Sequence, residues 1–361
     1  MAAADSTKMP WWTWAWPLVG LVILILRAAL SPGGLFAVAE APALLATVFA
    51  AVYHAEVVAH RVGEPFGTLV LALAVTVIEV ALIVSMMLTS DSDTSGLARD
   101  TVFAAVMIVC NCIVGVCLLA GGIRHHEQGF QLQGANAALS VLIALSTLTL
   151  VFPNVTTTIA GPAYSPSQLV FASAGSLVLY GSFLFVQTIR HRDYFLPVGG
   201  GEDLHCSPPP ASVAIKSAGL LLASLVLVVG LAKALTPVVE RGIAASGAPQ
   251  SLVGIVIAGL VLLPEGLAAF RAASANRLQT SMNLAYGSAL ATIGLTIPAV
   301  ASVSVVLGKP LALGLGPKEE KLLAVTLILT LLTIGTGRTT VLQGIVHLVL
   351  FAAFLFLAVV P

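Results

Sequence analysis

The chain has 361 residues, of which 58% are hydrophobic and 9% are charged, and its formal net charge is zero. An average soluble domain is about 25% charged, so this composition excludes a soluble globular protein. The balanced charge gives no reason to expect a nucleic acid as a partner.

Apolar runs long enough to cross a bilayer recur along the whole chain. A helix rises 1.5 Å per residue, so about 20 apolar residues cross about 30 Å of hydrocarbon. The predicted segments are 14–30, 35–57, 67–89, 99–120, 134–152, 167–189, 213–235, 251–271, 281–307, 320–335 and 340–360. The predicted fold class is therefore an all-α polytopic membrane protein with about eleven transmembrane helices, embedded in a lipid bilayer.

All the tryptophans of the chain, Trp11, Trp12, Trp14 and Trp16, lie at the start of the first segment, directly before its apolar run Leu18–Leu30. Tryptophan is enriched at the membrane interface, so this cluster predicts a retained helix and not a cleaved secretory signal. Basic loop residues are slightly more frequent on the N-terminal side of the predicted segments. This bias favours a cytoplasmic N-terminus.

The segments divide into a leading helix and two groups of five. The predicted organisation is an N-terminal part with the leading helix (1–34), a first five-helix repeat (35–189), a cytoplasmic linker (190–212) and a second five-helix repeat (213–361). Two five-helix units in series insert with opposite orientations, because five crossings end on the far side. This plan of inverted repeats is typical of secondary transporters.

The second helix of each repeat carries one glutamate at a corresponding position. The first helix follows Gly63-Glu64-Pro65 and reaches Glu79, and the second follows Gly247-Ala248-Pro249 and reaches Glu265. A charge at the bilayer centre costs at least about 2.5–3.5 kcal/mol, and such residues usually serve transport. Burial favours the neutral carboxyl, so each glutamate is predicted to exchange a proton for a cation. The alternative is two protonated glutamates that only donate hydrogen bonds between helices.

Oxygen-bearing side chains near these glutamates are candidate cation ligands. Thr76 shares a helix face with Glu79, and the helix after Glu265 carries a stripe formed by Ser281, Ser288, Thr292 and Thr296. Pro264 removes a backbone donor and so leaves a carbonyl for a cation. The alternative for each hydroxyl is a hydrogen bond to a carbonyl of its own helix.

Histidines occur in two further places. His54, Glu56, His60 and Glu64 are predicted at a cytoplasmic mouth, where they sense pH or pass protons; the alternative is a solvated loop. His347 stands alone in the last helix and is interpreted as an interface residue. The cysteines suggest neither disulfides nor a metal site, and no cofactor is expected.

Several strings together resemble the bacterial ChaA-type cation/proton antiporters of the calcium/cation antiporter superfamily. They are His54-Ala55-Glu56, His60 to Gly67, Val77-Ile78-Glu79-Val80, Leu263 to Leu267, Met282-Asn283-Leu284, Gly287 to Thr292, Thr336 to Thr339 and His347-Leu348. The resemblance implies one helix plus two inverted fives, with a transport glutamate in each repeat. It also implies export of Ca²⁺, Na⁺ or K⁺ in exchange for protons across a bacterial inner membrane. On this basis Asn283 joins the candidate site residues.

The sequence departs from the superfamily pattern ahead of each glutamate. The superfamily usually has Gly-Asn there, whereas this chain has Val75-Thr76 and Val261-Leu262. Fewer oxygen ligands leave room for monovalent ions. Since the sequence has no nucleophile elbow and no P-loop, an enzyme is not expected. A cation channel or leak that uses the same acidic residues stays open as the alternative, and the oligomeric state is not specified.

Overall fold

The structure is a computed structural model, and it describes residues 9–30, 36–63, 66–89, 94–196, 209–245, 247, 249 and 251–360. This part of the chain is almost entirely helical. Its α-helices are α1 (Trp12–Leu30), α2 (Ala37–Val62), α3 (Phe66–Thr89), α4 (Leu97–Met107), α5 (Val114–His125), α6 (Leu132–Ser146), α7 (Pro166–Phe185), α8 (Ala211–Ala245), α9 (Ser251–Ser274), α10 (Leu278–Ala291), α11 (Ile297–Leu307), α12 (Pro317–Ile334) and α13 (Val341–Val359).

Short π-helical and 3-10 segments interrupt or extend these helices. The π turn Ile108–Ile113 joins α4 to α5, and the π turn Thr292–Thr296 joins α10 to α11. Further π turns, Thr147–Val151 and Val186–Arg190, extend α6 and α7, and 3-10 segments lie at Phe152–Asn154 and Arg192–Phe195. Two-residue strands, β1 (Gln128–Gly129) and β2 (Arg338–Thr339), pair in antiparallel register with Gln128 opposite Thr339.

Counting each joined pair as one crossing, the described helices match the eleven predicted segments, which confirms the fold class. Nine of the described helical spans are long and apolar enough to cross a membrane. The other two are α3, which contributes the shorter apolar segment Ala72–Leu88, and α12, whose first turns carry Lys318, Glu319, Glu320 and Lys321. Many large apolar side chains stay exposed, such as Val170, Phe171 and Val349. Such a surface suits lipid and not water.

One helix extends about three turns beyond its predicted membrane segment. The segment predicted to end at 235 corresponds to α8, which continues through Pro237 to Ala245. The proline removes a single backbone donor, and the cost is tolerated in a long helix. After the proline, the Nε atom of Arg241 donates a hydrogen bond to the carbonyl of Pro237.

The chain folds into two compact units. Unit 1 comprises Met1–Thr94 and Asp203–Gly247, and unit 2 comprises Ser95–Glu202 and Ala248–Pro361. Unit 1 therefore contains α1, α2, α3 and α8, while unit 2 contains all the other described helices. This division differs from the predicted repeats, which group helices by sequence order, and the inverted-repeat organisation stays a prediction.

Within unit 1, α2 packs against α1, α3 and α8. Its buried face is rich in alanine, at Ala43, Ala50, Ala51 and Ala55. Small side chains let helix backbones approach closely, which is how helices associate where lipid replaces water. This packing positions α3, the helix that carries Glu79.

Within unit 2, the continuous helix of α4 and α5 is central, because it packs against α9 on one side and α13 on another. A Cβ atom on Gly254 of α9 would lie 2.9 Å from the backbone of Asp100 and Thr101. A Cβ atom on Gly344 of α13 would lie 2.6 Å from the backbone nitrogen of Leu119. Only glycine permits these two contacts.

Candidate functional site

The Glu79 side chain, on α3, is buried. The segment Phe66–Thr89 is helical because apolar residues fill it without a proline or an interior glycine. Glu79 is 2% exposed, and the neighbouring positions Ile78, Leu82 and Ile83 are also buried. An ionised carboxylate in such surroundings needs a cation or several hydrogen-bond donors to offset its lost hydration. The position therefore suits a group that alternates between a proton and a cation.

Thr76 lies one helical turn before Glu79 and is 6% exposed. Residues three apart share a helix face, so the Thr76 hydroxyl and the Glu79 carboxyl belong to one polar strip of α3. Val75, at the position where the superfamily usually has glycine, is buried as well. The side-chain oxygens that this stretch of α3 offers to a cation are thus one carboxyl and one hydroxyl.

Glu265 lies in unit 2, in the second half of α9. It is partly buried, and its Oε2 atom is enclosed. Pro264 precedes it inside the helix, so the carbonyl of Leu260, four residues before the proline, has no helical donor. Val261 and Leu262, at the other departure from the superfamily pattern, are buried apolar side chains. A carboxylate and a freed carbonyl on one helix are chemically suited to hold a hard cation.

The hydroxyl stripe after Glu265 lies on α10 and the π turn Thr292–Thr296, and α10 packs against α9. The Oγ atom of Ser288 is buried and has no hydrogen-bond partner among the described residues. A buried hydroxyl without a protein partner is uncommon, and it leaves Ser288 able to ligate a cation. Ser281 differs, since its hydroxyl interacts with the thiol of Cys117.

Asn283 is hydrogen bonded at both ends of its amide. Its Nδ2 atom donates to the carbonyl of Phe195 at 2.6 Å, and its Oδ1 atom accepts from Gln279 Nε2 at 3.0 Å. These bonds tie α10 to the 3-10 segment Arg192–Phe195. In this conformation Asn283 is engaged in holding the polypeptide, so Ser288 is the more available ligand of the two.

The residues predicted at a cytoplasmic mouth occupy different environments. His54 is fully buried, and its Nε2 atom lies 3.1 Å from the carbonyl of Thr13 on α1. Glu56 and His60 are exposed, and Glu64 lies outside the described residues. Of this group, His54 contacts the leading helix, whereas Glu56 and His60 face outward.

Two features of the structure were missed in the sequence. The first is an ion pair in unit 1 between Arg27 of α1 and the completely buried Glu40 of α2. Both charges interrupt apolar stretches, so the argument applied to Glu79 could have found them. The second is a buried set of neutral polar side chains in unit 2 around Asn111 and His347. His347 was interpreted as an interface residue, and its hydrogen bonds agree with that.

A resident metal centre has no support in the described part of the chain, where no three His, Cys, Asp or Glu side chains are grouped closely enough to hold an ion. A transported cation differs from a resident metal, because it must leave as readily as it enters. Hydroxyls, carbonyls and one carboxylate per helix are the oxygen ligands expected for such weak binding.

Comparison with known proteins gives consistent matches. The family model for the sodium/calcium exchanger protein matches residues 34–189 and 216–360. The chain is 48% identical to the putative ionic transporter y4hA of Sinorhizobium fredii, over 99% of this chain and 98% of that protein. It is 37% identical to the sodium-potassium/proton antiporter ChaA of Escherichia coli, over 86% of this chain and 85% of that protein.

Solved structures show the same fold. The structure of native YfkE matches with a TM-score of 0.75 and 15% identity, over 97% of this chain and 100% of that chain. The H⁺/Ca²⁺ exchanger CAX matches with a TM-score of 0.74 and 14% identity, over 98% of this chain and 89% of that chain.

Proposed function

Because the chain belongs to the sodium/calcium exchanger family, we propose that it is a secondary active antiporter that exports Na⁺, K⁺ or Ca²⁺ in exchange for protons by alternating access. This family consists of membrane exchangers and not enzymes. The proposed location is the bacterial inner membrane, with a cytoplasmic N-terminus. The relative from Escherichia coli is named for sodium, potassium and protons, which is why a proton is the proposed counter-ion.

The observation that carries the proposal is the placement of the two glutamates. Glu79 is 2% exposed on α3, and Glu265 lies beside a helix-interior proline on α9. We propose that each carboxyl binds either a proton or the transported cation. Binding of one then releases the other, because the two ligands compete for the same oxygens. Thr76 and Ser288 are the proposed additional oxygen ligands, followed by Asn283.

The proposed ion preference follows from the ligands near each glutamate. Val75, Val261 and Leu262 are buried and provide no side-chain oxygen. Ca²⁺ takes six to eight oxygen ligands, so a site with few of them favours Na⁺ or K⁺. We therefore expect Ca²⁺ to be transported more weakly than the monovalent ions.

The test is a proton-flux assay in everted membrane vesicles from cells that lack their own antiporters. An acid-inside pH gradient is formed with the membrane potential clamped, and Na⁺, K⁺ or Ca²⁺ is then added. We expect the wild-type protein to dissipate the gradient, and Glu79→Gln and Glu265→Gln to abolish that response. The control is Glu127→Gln, which removes a half-exposed carboxylate that pairs with Arg338 at the surface.

Each possible outcome of this assay is informative. Unchanged exchange in either glutamine variant, at normal abundance and thermal stability, refutes the role of that glutamate. Cation entry without proton movement indicates a channel or leak instead of an antiporter. Stronger exchange with Ca²⁺ than with Na⁺ and K⁺ contradicts the proposed ion preference.

A further inference from the structure

Buried, neutral polar side chains from three helical segments of unit 2 form one hydrogen-bonded set. Asn111 lies in the π turn Ile108–Ile113, Thr326 and Thr333 lie on α12, and His347 lies on α13. All four are at most 2% exposed. None of them is needed for the proposed cation site, and buried polar groups of this kind are retained in membrane helices mainly when they have a role.

The hydrogen bonds fix which nitrogen of His347 carries the proton. Asn111 Nδ2 donates to Thr326 Oγ1 at 2.9 Å, so the amide oxygen Oδ1 faces His347 Nδ1 at 3.2 Å. An amide oxygen only accepts, so Nδ1 must donate. On the other side of the ring, Thr333 Oγ1 lies 2.9 Å from Nε2, and its hydroxyl donates to that nitrogen. The neutral imidazole with the proton on Nδ1 satisfies both of these bonds.

The surroundings of the ring also favour its neutral form. The His347 ring contacts Asn111, Thr333 and the backbone of Cys110, and the His347 Cβ atom lies next to Gly115. None of these groups carries a charge, and an imidazolium buried without a counter-charge is costly. A proton carrier in this place would need such a counter-charge. His347 is therefore suited to holding neighbouring groups in position.

The π turn Ile108–Ile113 links this hydrogen-bonded set to the glutamate of unit 2. A Cβ atom on Gly266, the residue after Glu265, would lie 3.2 Å from Ile113 Cδ1. The π turn and α9 are thus in direct contact next to Glu265. π turns are poorly stabilised by their own hydrogen bonds and are common at functional sites, so an outside bond to Asn111 matters to the shape of this one.

We propose that His347 is a positioning residue for exchange: by donating a hydrogen bond to Asn111, it holds the π turn Ile108–Ile113 against α9 and so fixes the orientation of Glu265. The inference rests on the proposed function, because it concerns the glutamate assigned to transport. It adds to that function a hydrogen-bonded pair, His347 on α13 and Asn111 in the π turn. This pair sets how tightly the cation binds.

Two substitutions of His347, by side chains of nearly equal size, distinguish the roles of the two ring nitrogens. In His347→Asn the amide nitrogen takes the place of Nδ1 and keeps the bond to Asn111. In His347→Gln the amide reaches the place of Nε2, so the bond to Thr333 is kept and the bond to Asn111 is lost. A structural role without positioning would be affected similarly by both, since both replace a buried ring with an amide.

The experiment measures cation-dependent proton flux, with KM and Vmax determined separately, in the full-length protein. We expect His347→Gln and Asn111→Leu to raise the cation KM about 2- to 10-fold, the factor that corresponds to one buried hydrogen bond, with Vmax little changed. His347→Asn should keep a KM near the wild-type value. The double variant His347→Gln with Asn111→Leu should be no worse than Asn111→Leu alone, because the bond that His347→Gln removes is already missing there.

A second measurement does not depend on transport. Hydrogen–deuterium exchange in detergent should be faster in His347→Gln than in wild type at residues 108–113 and around Glu265, and unchanged in His347→Asn. If the wild-type protein moves no protons, the proposed function fails while this measurement still decides the positioning role. Equal rates of hydrogen–deuterium exchange in His347→Gln and His347→Asn overturn the inference. Loss of the pH dependence of transport in His347→Asn overturns it too, because that variant keeps the bond and removes only a titratable group.

Discussion

Glu79 and Glu265 occupy comparable places in their helices, yet the two helices are built differently. In α3 no glycine follows Gly67, and Glu79 is 2% exposed, with Ile78, Leu82 and Ile83 also buried. In α9 the glutamate is only partly buried and sits between Pro264 and a glycine, in a helix that meets α4 at backbone contact. The two carboxyls therefore differ in their burial and in the backbone that carries them.

The two units also differ in the charge of their buried polar groups. In unit 1 an ion pair, Arg27 with the buried Glu40, joins α1 to α2. In unit 2 the ion pair Glu127–Arg338 lies at the surface, and the buried set around Asn111 and His347 consists of neutral amide, hydroxyl and imidazole groups. A buried charge is expensive when its partner is lost, whereas a neutral group loses about one hydrogen bond. The two units should thus respond differently to equivalent substitutions.

The largest expected difference concerns the position of each carboxylate. Glu79→Asp and Glu265→Asp withdraw the carboxylate by about 1.5 Å, one carbon–carbon bond. We expect Glu79→Asp to lower Vmax/KM about 100-fold, the usual effect of a 1 Å misplacement at a closed site. We expect only about a 10-fold loss for Glu265→Asp, because water can bridge the gap at a partly exposed carboxylate.

The vesicle assay measures both variants against Glu79→Gln and Glu265→Gln in the same preparation. Equal losses in the two aspartate variants would show that the difference in burial has no consequence for ion binding. A larger loss in Glu265→Asp would reverse the comparison. It would place the stricter geometric requirement on α9.

The next effect concerns the glycines of α9. Gly254→Ala places a Cβ atom 2.9 Å from the backbone of α4, so the helices must separate. We expect a loss of stability of about 2 kcal/mol, typical of overpacking. Gly259→Ala is the matched control, since its Cβ would meet only Ile108 Cδ1, at 3.9 Å. There the better helix propensity of alanine should leave stability unchanged or slightly higher.

Thermal unfolding in detergent micelles measures both glycine variants. If Gly259→Ala destabilises the protein as much as Gly254→Ala, the close contact of α9 with α4 is not the cause. The same scan on Gly266→Ala should give an intermediate result. Its Cβ would meet the flexible end of Ile113, which can move by a few tenths of an ångström.

Much of this fold follows directly from the sequence. Apolar run length located the eleven crossings, because a bilayer leaves a spanning segment almost no alternative to a helix. The cost of a charge in hydrocarbon singled out Glu79 and Glu265 by the same physics. The helix α8 continues past its predicted membrane segment although it contains Pro237, because the loss of one backbone donor is tolerated in a helix that packs along α2.

The remaining features depend on contacts between segments distant in sequence. A π turn such as Ile108–Ile113 arises from packing, and no local pattern in this chain marks it. The partnership of Asn111 with His347 joins residues that lie far apart in the chain, so composition cannot reveal it. No sequence pattern distinguishes Thr326 and Thr333 from hydroxyls that bond to their own helix, as Thr330 does to the Thr326 carbonyl.

The smallest expected effect compares the ion pair of unit 1 with the neutral bonds of unit 2. Arg27 is 31% exposed and Glu40 is fully buried, so the two single substitutions are not equivalent. Arg27→Met leaves an enclosed carboxylate without its cation, and we expect a loss of about 1.5 kcal/mol. Glu40→Met leaves an arginine that can extend to water or lipid headgroups, and the loss should stay below about 1 kcal/mol.

The double variant Arg27→Met with Glu40→Met separates charge from packing. Replacing a buried ion pair by apolar side chains of similar volume is often neutral, so the double variant should recover most of the stability that Arg27→Met loses. Thermal unfolding of the four proteins forms a double-mutant cycle. Additive losses would mean that Arg27 and Glu40 stabilise unit 1 through separate contacts. Recovery would mean that the Arg27–Glu40 pair contributes little net stability, and that its value is the specificity with which α1 docks on α2.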